Sequence, residues 1–144
     1  MTGTVPAWLE IAINELGQAE IEGAHHNPRI LAYHQATSLK AADDETPWCA
    51  AFVNWCLSEA HIVGTGKANA RSFMTWGQAI ALGKMRHGDI VIFERNKPWQ
   101  GHVGFVYASK PDSIQVLGGN QGDAVSLAWY PMRRLLGIRR PEWK

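Results

Sequence analysis

Two cysteines lie on one predicted helix, and the first has the position of a nucleophile. Thr46 is a good N-cap and Pro47 suits the first helical position, so we expect a helix to begin at Thr46. Cys49 then falls in the first turn, where free backbone N–H groups and the helix dipole favour thiolate over thiol. A thiolate there is a candidate for attack on a carbonyl carbon. The alternative is a small buried hydrophobic residue, as most free cysteines are.

The apolar residues of this helix form one stripe. It contains Cys49, Phe52, Val53, Cys56 and Ala60, so we expect one face to be buried. Along the helix axis the two sulfur-bearing residues are separated by roughly 10 Å, which is beyond disulfide reach. We therefore expect free thiols, as is typical of a reducing compartment.

A cysteine nucleophile needs a base, and His102 is the candidate. It begins a predicted strand on which His102 and Gly104 share one face. The glycine leaves room on that face, and we expect the helix that carries Cys49 to dock there. The alternative for His102 is a solvent-exposed histidine at a strand end.

The base in turn needs an orienting group. Asn120 follows the next predicted strand and can accept the ring N–H of His102, with Gln121 as the substitute. Gly118 and Gly119 allow close backbone approach at this point. The alternative for Asn120 is an ordinary turn residue.

The order of these residues resembles the papain-like superfamily, in particular the CHAP and NlpC-type cysteine amidohydrolases that cut bacterial peptidoglycan. The resemblance extends from about Trp8 to Pro141, and its most specific segments are Pro47–Val53, Gly88–Val91, Gly101–Gly104 and Gly118–Gln121. It implies Cys49 as nucleophile, His102 as general base and then acid, and Asn120 as orienting residue. Many relatives have an acid at the third position, where this chain has glycine or amide residues. Among CHAP-like proteins it resembles small single-domain forms of phage and proteobacteria.

Aromatic residues near these segments are candidates for a substrate groove. We expect Trp48, Trp99 and Gln121 to contact substrate. Trp76 and Trp129 can line the same groove, because tryptophan offers a flat apolar surface with one polar group.

We expect neither a metal ion nor a cofactor. His25, His26 and His34 lack the helical spacing or the cysteine partners of a zinc site. Some CHAP relatives bind calcium through acids that precede the cysteine, which here would be Asp43–Glu45. The usual spacing is not reproduced, so we interpret this run as a solvated acidic turn.

The length and composition predict one soluble domain over residues 1–144, and the resemblance implies that this domain is catalytic. Apolar residues make up 46% of the chain and charged residues 19%, and the net charge of +1 does not favour a nucleic-acid partner. The N-terminal residues lack a signal-peptide pattern, and no apolar run is long enough to span a membrane. We expect a monomer made in the cytoplasm.

The resemblance implies a peptidoglycan hydrolase, and with the candidate Cys-His pair we expect it to cut an amide bond of the stem peptide through a thioester mechanism. The enzyme would be an N-acetylmuramoyl-L-alanine amidase or an endopeptidase. It would act in the periplasm or cell wall, either as a phage endolysin released through a holin or as a secreted antibacterial effector with an immunity protein. The alternatives are a cysteine protease or amidase with a non-wall substrate, and a non-catalytic wall-binding module in which Cys49 is simply buried.

The elements that position these residues are predicted from periodicity and caps. Residues 6–17 predict a helix with Gly17 in the left-handed conformation at its end, Asn27 and Pro28 begin a second helix, and residues 71–82 predict a further short helix. The predicted strands cover residues 90–93, 102–107, 113–117, 124–129 and 135–139. Helices first and strands with short connections second predict a papain-like α+β fold, with N-terminal helices packed on a C-terminal antiparallel sheet of five or six strands.

Overall fold

The computed structural model of this chain describes residues 5–21, 26–39, 47–95 and 100–141. Three α-helices come first, namely α1 (Ala7–Asn14), α2 (Pro28–His34) and α3 (Cys49–Glu59). The strands are β1 (Gln78–Ala79), β2 (Ile90–Glu94), β3 (Gly101–Lys110), β4 (Ser113–Gly118), β5 (Ser126–Pro131) and β6 (Leu135–Arg140). They form one antiparallel sheet in the order β1-β6-β2-β3-β4-β5. The predicted α+β class is therefore confirmed. Within the described residues, no helix is long and apolar enough to cross a membrane.

Both early helices form where their caps predict them. Gly17, which follows α1, has a φ of 98°, the left-handed conformation expected there. The side chain of Asn27 accepts a hydrogen bond of 2.8 Å from the backbone N–H of Arg29, and Pro28 is the first residue of α2. Side-chain capping thus accounts for the start of α2, whereas α1 begins after Pro6 without a side-chain cap.

The third helix begins later than its sequence predicts. Trp48 is the N-cap, with φ −130° and ψ 19°, so Pro47 lies before the helix, and the predicted start at Thr46 is wrong. Thr46 itself lies outside the described residues. The carbonyl of Trp48 accepts the first helical hydrogen bond, from Phe52, at 2.9 Å. Cys49 is consequently the first helical residue, at the point where backbone N–H groups are free.

Burial of α3 is more complete than one stripe would require. Residues on all of its sides are buried, including Ala50, Ala51 and Asn54. The Asn54 side chain donates to Lys67 O (3.1 Å) and accepts from Gly66 N (2.9 Å), which ties the helix to the following loop. The helix therefore lies between α1, α2 and the sheet.

The face of the sheet that α3 covers is not the one predicted. Phe52 of α3 contacts Phe105 with ring centroids 6.3 Å apart, and Val103 lies in the same core cluster. His102 and Gly104 point to the other face. There the space beside Gly104 is filled by the Val116 side chain, so the expectation that α3 docks against Gly104 is wrong.

The opposite face has an apolar cluster of its own. Its buried residues are Val91, Phe93, Val106, Ile114, Val116 and Ile138. Each strand in the middle of the sheet is thus buried on both faces, as the unbroken burial of Ile90–Phe93 also indicates.

The segment predicted as a fourth helix is broken into short pieces. A 3-10 turn covers Ala70–Thr75, Gly77 adopts a left-handed φ of 63°, and β1 then pairs with β6. A Cβ on Gly77 would clash with the carbonyl oxygen of Arg140. The close approach of β6 therefore replaces the helix that the apolar spacing predicts.

A buried ion pair joins the start of β2 to the end of β6. Asp89 accepts from Arg140 Nε (2.6 Å) and Arg140 Nη2 (2.8 Å), and the pair raises the pKa of Arg140. Asp89 also accepts from the backbone N–H of Arg86 at 2.8 Å. Its carboxylate therefore holds both the turn before β2 and the last strand.

We predict that Asp89→Asn lowers the free energy of unfolding by about 2 to 3 kcal/mol, since it leaves Arg140 without its charge partner and weakens a paired, mostly buried group. Urea denaturation followed by tryptophan fluorescence measures this change. Asp112→Asn, in an exposed turn, is the control and should change stability by less than about 0.5 kcal/mol. Equal effects of the two substitutions would contradict the structural importance of the ion pair.

Candidate active site

Cys49 lies at the start of α3 with its sulfur against backbone N–H groups. Only 6% of the residue is exposed, and this burial raises the pKa of the thiol. The backbone N–H groups of Val103 and Ala50, and the charge of Arg95, lower that pKa but do not outweigh burial. Burial therefore opposes the thiolate that the helix start was expected to favour, and it favours the neutral thiol in the resting protein.

His102 is the second residue of β3 and is almost fully buried, with 2% of its surface exposed. The pKa of His102 is lowered to about 4, mainly by burial. The hydrogen bond to Gln121 raises this pKa, and the positive charge of Arg95 lowers it further. The imidazole is consequently neutral at pH 7. A neutral imidazole is the form that can accept a proton.

Gln121 fixes which ring nitrogen of His102 carries the proton. Its Nε2 donates to two carbonyls, Val116 O (3.2 Å) and Ser126 O (2.8 Å), so its Oε1 must be the atom that faces the ring. That oxygen lies 2.8 Å from His102 Nε2, and a carboxamide oxygen only accepts. Nε2 is therefore protonated, which leaves the lone pair of Nδ1 available as a base.

Gln121, and not Asn120, makes the side-chain hydrogen bond to the His102 ring. The assignment of Asn120 as the residue that contacts His102 is therefore corrected. Asn120 has a φ of 60°, the left-handed conformation of a turn residue, which was its alternative interpretation. Gln121 is buried, and its side chain is bonded to His102 and to the carbonyls of Val116 and Ser126. The expectation that it contacts substrate is not met by this arrangement. Its interpretation as the substitute orienting residue agrees with the hydrogen bond to His102.

Two glycines bring the end of β4 close to the start of α3. A Cβ on Gly119 would meet Trp48 and Phe52 at 2.7 Å, and a Cβ on Gly118 would meet Gln121 Oε1 at 2.5 Å and His102 Nε2 at 3.3 Å. The close approach predicted for this Gly-Gly pair is thus present. It allows Gln121 to reach the histidine beside the helix that carries Cys49.

Tyr130 of β5 belongs to the site, and the sequence reasoning missed it. Its ring stacks on His102 (centroids 4.9 Å apart, 17° between planes) and on Phe93 (4.9 Å, 23°). Burial raises the pKa of Tyr130 to about 12, Arg95 lowers it and Cys49 raises it. The electrostatic influence of Cys49 on a ring stacked against His102 places the three groups in one region. The predicted strand ended at Trp129, and no spacing along the chain indicates that the next residue stacks on His102.

Arg95 is a second residue that the sequence reasoning missed. It is exposed and directly follows β2, and its charge acts on Cys49, His102 and Tyr130 alike. A single arginine after a strand carries no sequence signal of its own. Only the pairing of β2 with β3 places it beside the histidine.

The tryptophans that the structure describes do not form the expected groove. Trp48 is fully buried, and its Nε1 donates to Glu20 at 3.0 Å, so its assignment as a substrate contact is wrong. Trp76 is half-buried and donates to Val63 O, whereas Trp129 is 44% exposed beneath the Lys110 ammonium group. Trp99 lies outside the described residues.

Among the residues that the structure describes, no group of three or more histidine, cysteine or acidic side chains is placed to hold a metal ion. His25 and the acidic run Asp43–Glu45 lie outside these residues.

Comparison with known proteins gives the family. The model of the CHAP domain matches residues 41–120, more than half of the chain. The chain belongs to the CHAP domain family. A solved structure from Staphylococcus aureus subsp. aureus Mu50, described as similar to lipoprotein of the NLP/P60 family, has a TM-score of 0.56 and 15% identity over 95% of this chain. The chain spans 41% of the length of that protein. A comparison with curated proteins gives no match.

These findings confirm the predicted CHAP/NlpC-type domain and its papain-like α+β fold. CHAP-domain proteins are in general cysteine peptidases or amidases, and the family points to a peptidoglycan-related hydrolase. At 15% identity the solved structure shows the fold alone.

We predict that His102 makes the protein less stable in acid. The pKa is 6.5 in an unfolded chain and about 4 in the folded protein, so between these values the unfolded state binds more protons and stability is lost as the pH falls. Relative to His102→Gln, the wild-type free energy of unfolding should fall by an additional amount on the order of 3 kcal/mol from pH 7 to pH 4. Denaturant titrations of both proteins measure this difference. Parallel pH profiles would contradict the low pKa.

We also predict that the Tyr130 ring keeps His102 in place. Tyr130→Phe preserves the stacked ring, whereas Tyr130→Leu removes it and admits water, which should raise the pKa of His102 towards 6.5. An NMR titration of the imidazole Cε1 proton measures this pKa in each variant. The same pKa in Tyr130→Leu as in Tyr130→Phe would show that stacking does not control the ring.

Proposed function

We propose that this chain is a cysteine amidohydrolase, a single catalytic domain that cuts an amide bond in the peptide part of peptidoglycan. The observation that carries the proposal is the hydrogen bond from His102 Nε2 to Gln121, which leaves Nδ1 as a base in the region of Cys49. The membership of the CHAP domain family supports the substrate class. Cys49 is the proposed nucleophile and Gln121 the proposed orienting residue.

The first step follows from the neutral state of both reacting groups. Nδ1 of His102 takes the thiol proton as the sulfur of Cys49 attacks the carbonyl carbon of the substrate amide. The carbonyl oxygen then carries the negative charge. We assign the backbone N–H of Cys49, at the first position of α3, as a donor that stabilises this oxyanion.

The second step returns the proton. His102, now charged, donates it to the leaving amine, the C–N bond breaks, and a thioester to Cys49 remains. A water molecule then gives a proton to His102 and attacks the thioester, which releases the acid product and restores the thiol. Gln121 accepts from Nε2 throughout, so the ring keeps its orientation as Nδ1 gains and loses its proton.

The finer assignments are also proposals. The chain acts as an N-acetylmuramoyl-L-alanine amidase or as an endopeptidase, in the periplasm or cell wall, as a phage endolysin or a secreted effector. Mass spectrometry of the released fragments distinguishes the two bonds, since an amidase frees the whole stem peptide from the sugar whereas an endopeptidase cuts within it.

We predict that Cys49→Ala abolishes the release of soluble fragments from purified peptidoglycan, with a loss of at least about a thousandfold, because the sulfur forms the covalent intermediate. The matched control is Cys56→Ala. Cys56 lies on the same helix, is fully buried, and burial raises its pKa, so its removal should cost about 1 kcal/mol of stability and leave the rate of cleavage unchanged.

If Cys49→Ala released soluble fragments from peptidoglycan at the wild-type rate, the assignment of Cys49 as nucleophile would be wrong. Cleavage of casein with no release of new amines from peptidoglycan would favour the protease alternative. Binding to peptidoglycan without cleavage by the wild-type protein would favour the wall-binding module.

A further inference from the structure

The start of α3, which carries Cys49, has no side-chain cap. Trp48 is the N-cap residue, and its φ of −130° and ψ of 19° lie outside the extended conformation that is usual for a cap. An indole only donates, so it cannot accept a hydrogen bond from the first N–H groups of the helix. The position of Cys49 therefore depends on the tertiary contacts of the residue before it.

Trp48 is held at two points of its ring system. Its Nε1 donates to the carboxylate of Glu20 at 3.0 Å. Its six-membered ring lies against Gly119, where a Cβ would be 2.7 Å from Cε3 and Cζ3. Trp48 is fully buried, so an indole N–H that lost this carboxylate would carry a desolvation cost. The contact with Glu20 thus helps to fix the residue that precedes the proposed nucleophile.

Glu20 is also bound to the loop that carries Gln121. Its backbone N–H donates to Asp123 O at 2.9 Å. The preceding residue, Ala19, forms an antiparallel β-bridge with Ala124, and Gln121 N donates to Ala124 O at 3.0 Å. A single residue therefore joins the start of the nucleophile's helix to the loop of the residue that orients the imidazole.

We propose that Glu20 is a positioning residue, which acts through Trp48 to hold the sulfur of Cys49 and the imidazole of His102 in place for proton transfer. This inference rests on the proposed function. The carboxylate fixes the residue before the nucleophile, and the N–H fixes the loop beside the base. Because a misplacement of about 1 Å can cost about a hundredfold in rate, a link between these two supports affects catalysis without any contact with substrate.

The first test compares two substitutions of Glu20. Glu20→Ala removes the acceptor of the indole N–H, whereas the carboxamide oxygen in Glu20→Gln can still accept. We measure kcat and KM with soluble disaccharide-peptide fragments of peptidoglycan. We expect Glu20→Ala to lower kcat about tenfold or more and to change KM by less than about twofold, because the residue holds the reacting groups and not the substrate. Glu20→Gln should restore kcat to within about threefold of the wild-type value.

The second test needs no hydrolysis, since it measures the alkylation of Cys49 by iodoacetamide. Every protein carries Cys56→Ala, so that one thiol remains. The alkylation rate of each protein is divided by its rate after the further substitution His102→Gln, and this ratio measures how far the imidazole assists the thiol. A change in the access of the reagent cancels in the ratio. We expect about tenfold or more in the parent protein and in Glu20→Gln, and less than about threefold in Glu20→Ala.

Glu10→Ala is the matched control, since Glu10 is an exposed glutamate on α1, and it should leave kcat and the alkylation ratio unchanged. Urea denaturation shows whether each variant is folded. If Glu20→Ala does not fold, Trp48→Phe replaces it in both tests, because phenylalanine keeps a buried ring and lacks the N–H. The same results are expected of it.

An unchanged kcat or an unchanged alkylation ratio in Glu20→Ala would overturn this inference alone. A ratio that falls as expected, in a protein that does not cleave peptidoglycan, would support the positioning role and overturn only the hydrolase. A ratio near one in the parent protein would overturn the pair of Cys49 and His102 and this inference with it.

Discussion

The site depends on one hydrogen bond, from His102 Nε2 to the carboxamide oxygen of Gln121. That oxygen is oriented because the amide nitrogen is held by two carbonyls, those of Val116 within β4 and of Ser126 at the start of β5. The sheet itself therefore selects the tautomer of the histidine. An acid at this position would stabilise a charged imidazolium, whereas a neutral amide orients the ring without adding charge.

This difference agrees with the burial of the site. A thiolate and imidazolium would both require solvation that the structure does not offer, since Cys49 and His102 are almost completely covered. A neutral pair avoids that cost at rest. In the proposed mechanism charge develops only during attack, beside the N–H groups at the start of α3, where a fixed dipole stabilises it without reorganisation.

The sequence predicted the features that depend on local chemistry. The Asn27 cap, the left-handed Gly17, the close approach at Gly118 and Gly119, and the central strands are determined by neighbouring residues. The features that it missed depend on tertiary contacts. Whether Asn120 or Gln121 reaches His102 is decided by a left-handed turn. Tyr130 comes from a strand two positions away in the sheet, and no spacing along the chain indicates that it stacks on His102.

Dependence on tertiary contacts also explains why the sequence predicts the wrong face of β3 for the docking of α3. Alternation correctly separates His102 and Gly104 from Val103 and Phe105, but it does not say which set faces the helix. The two-sided burial of the sheet removes the usual contrast between a polar and an apolar face. Val116 fills the space beside Gly104, and the helix instead approaches β3 at its first residues. The Cys49 sulfur accepts from the backbone N–H of Val103, the residue after His102, so the thiol can lie near a histidine whose side chain is on the other face.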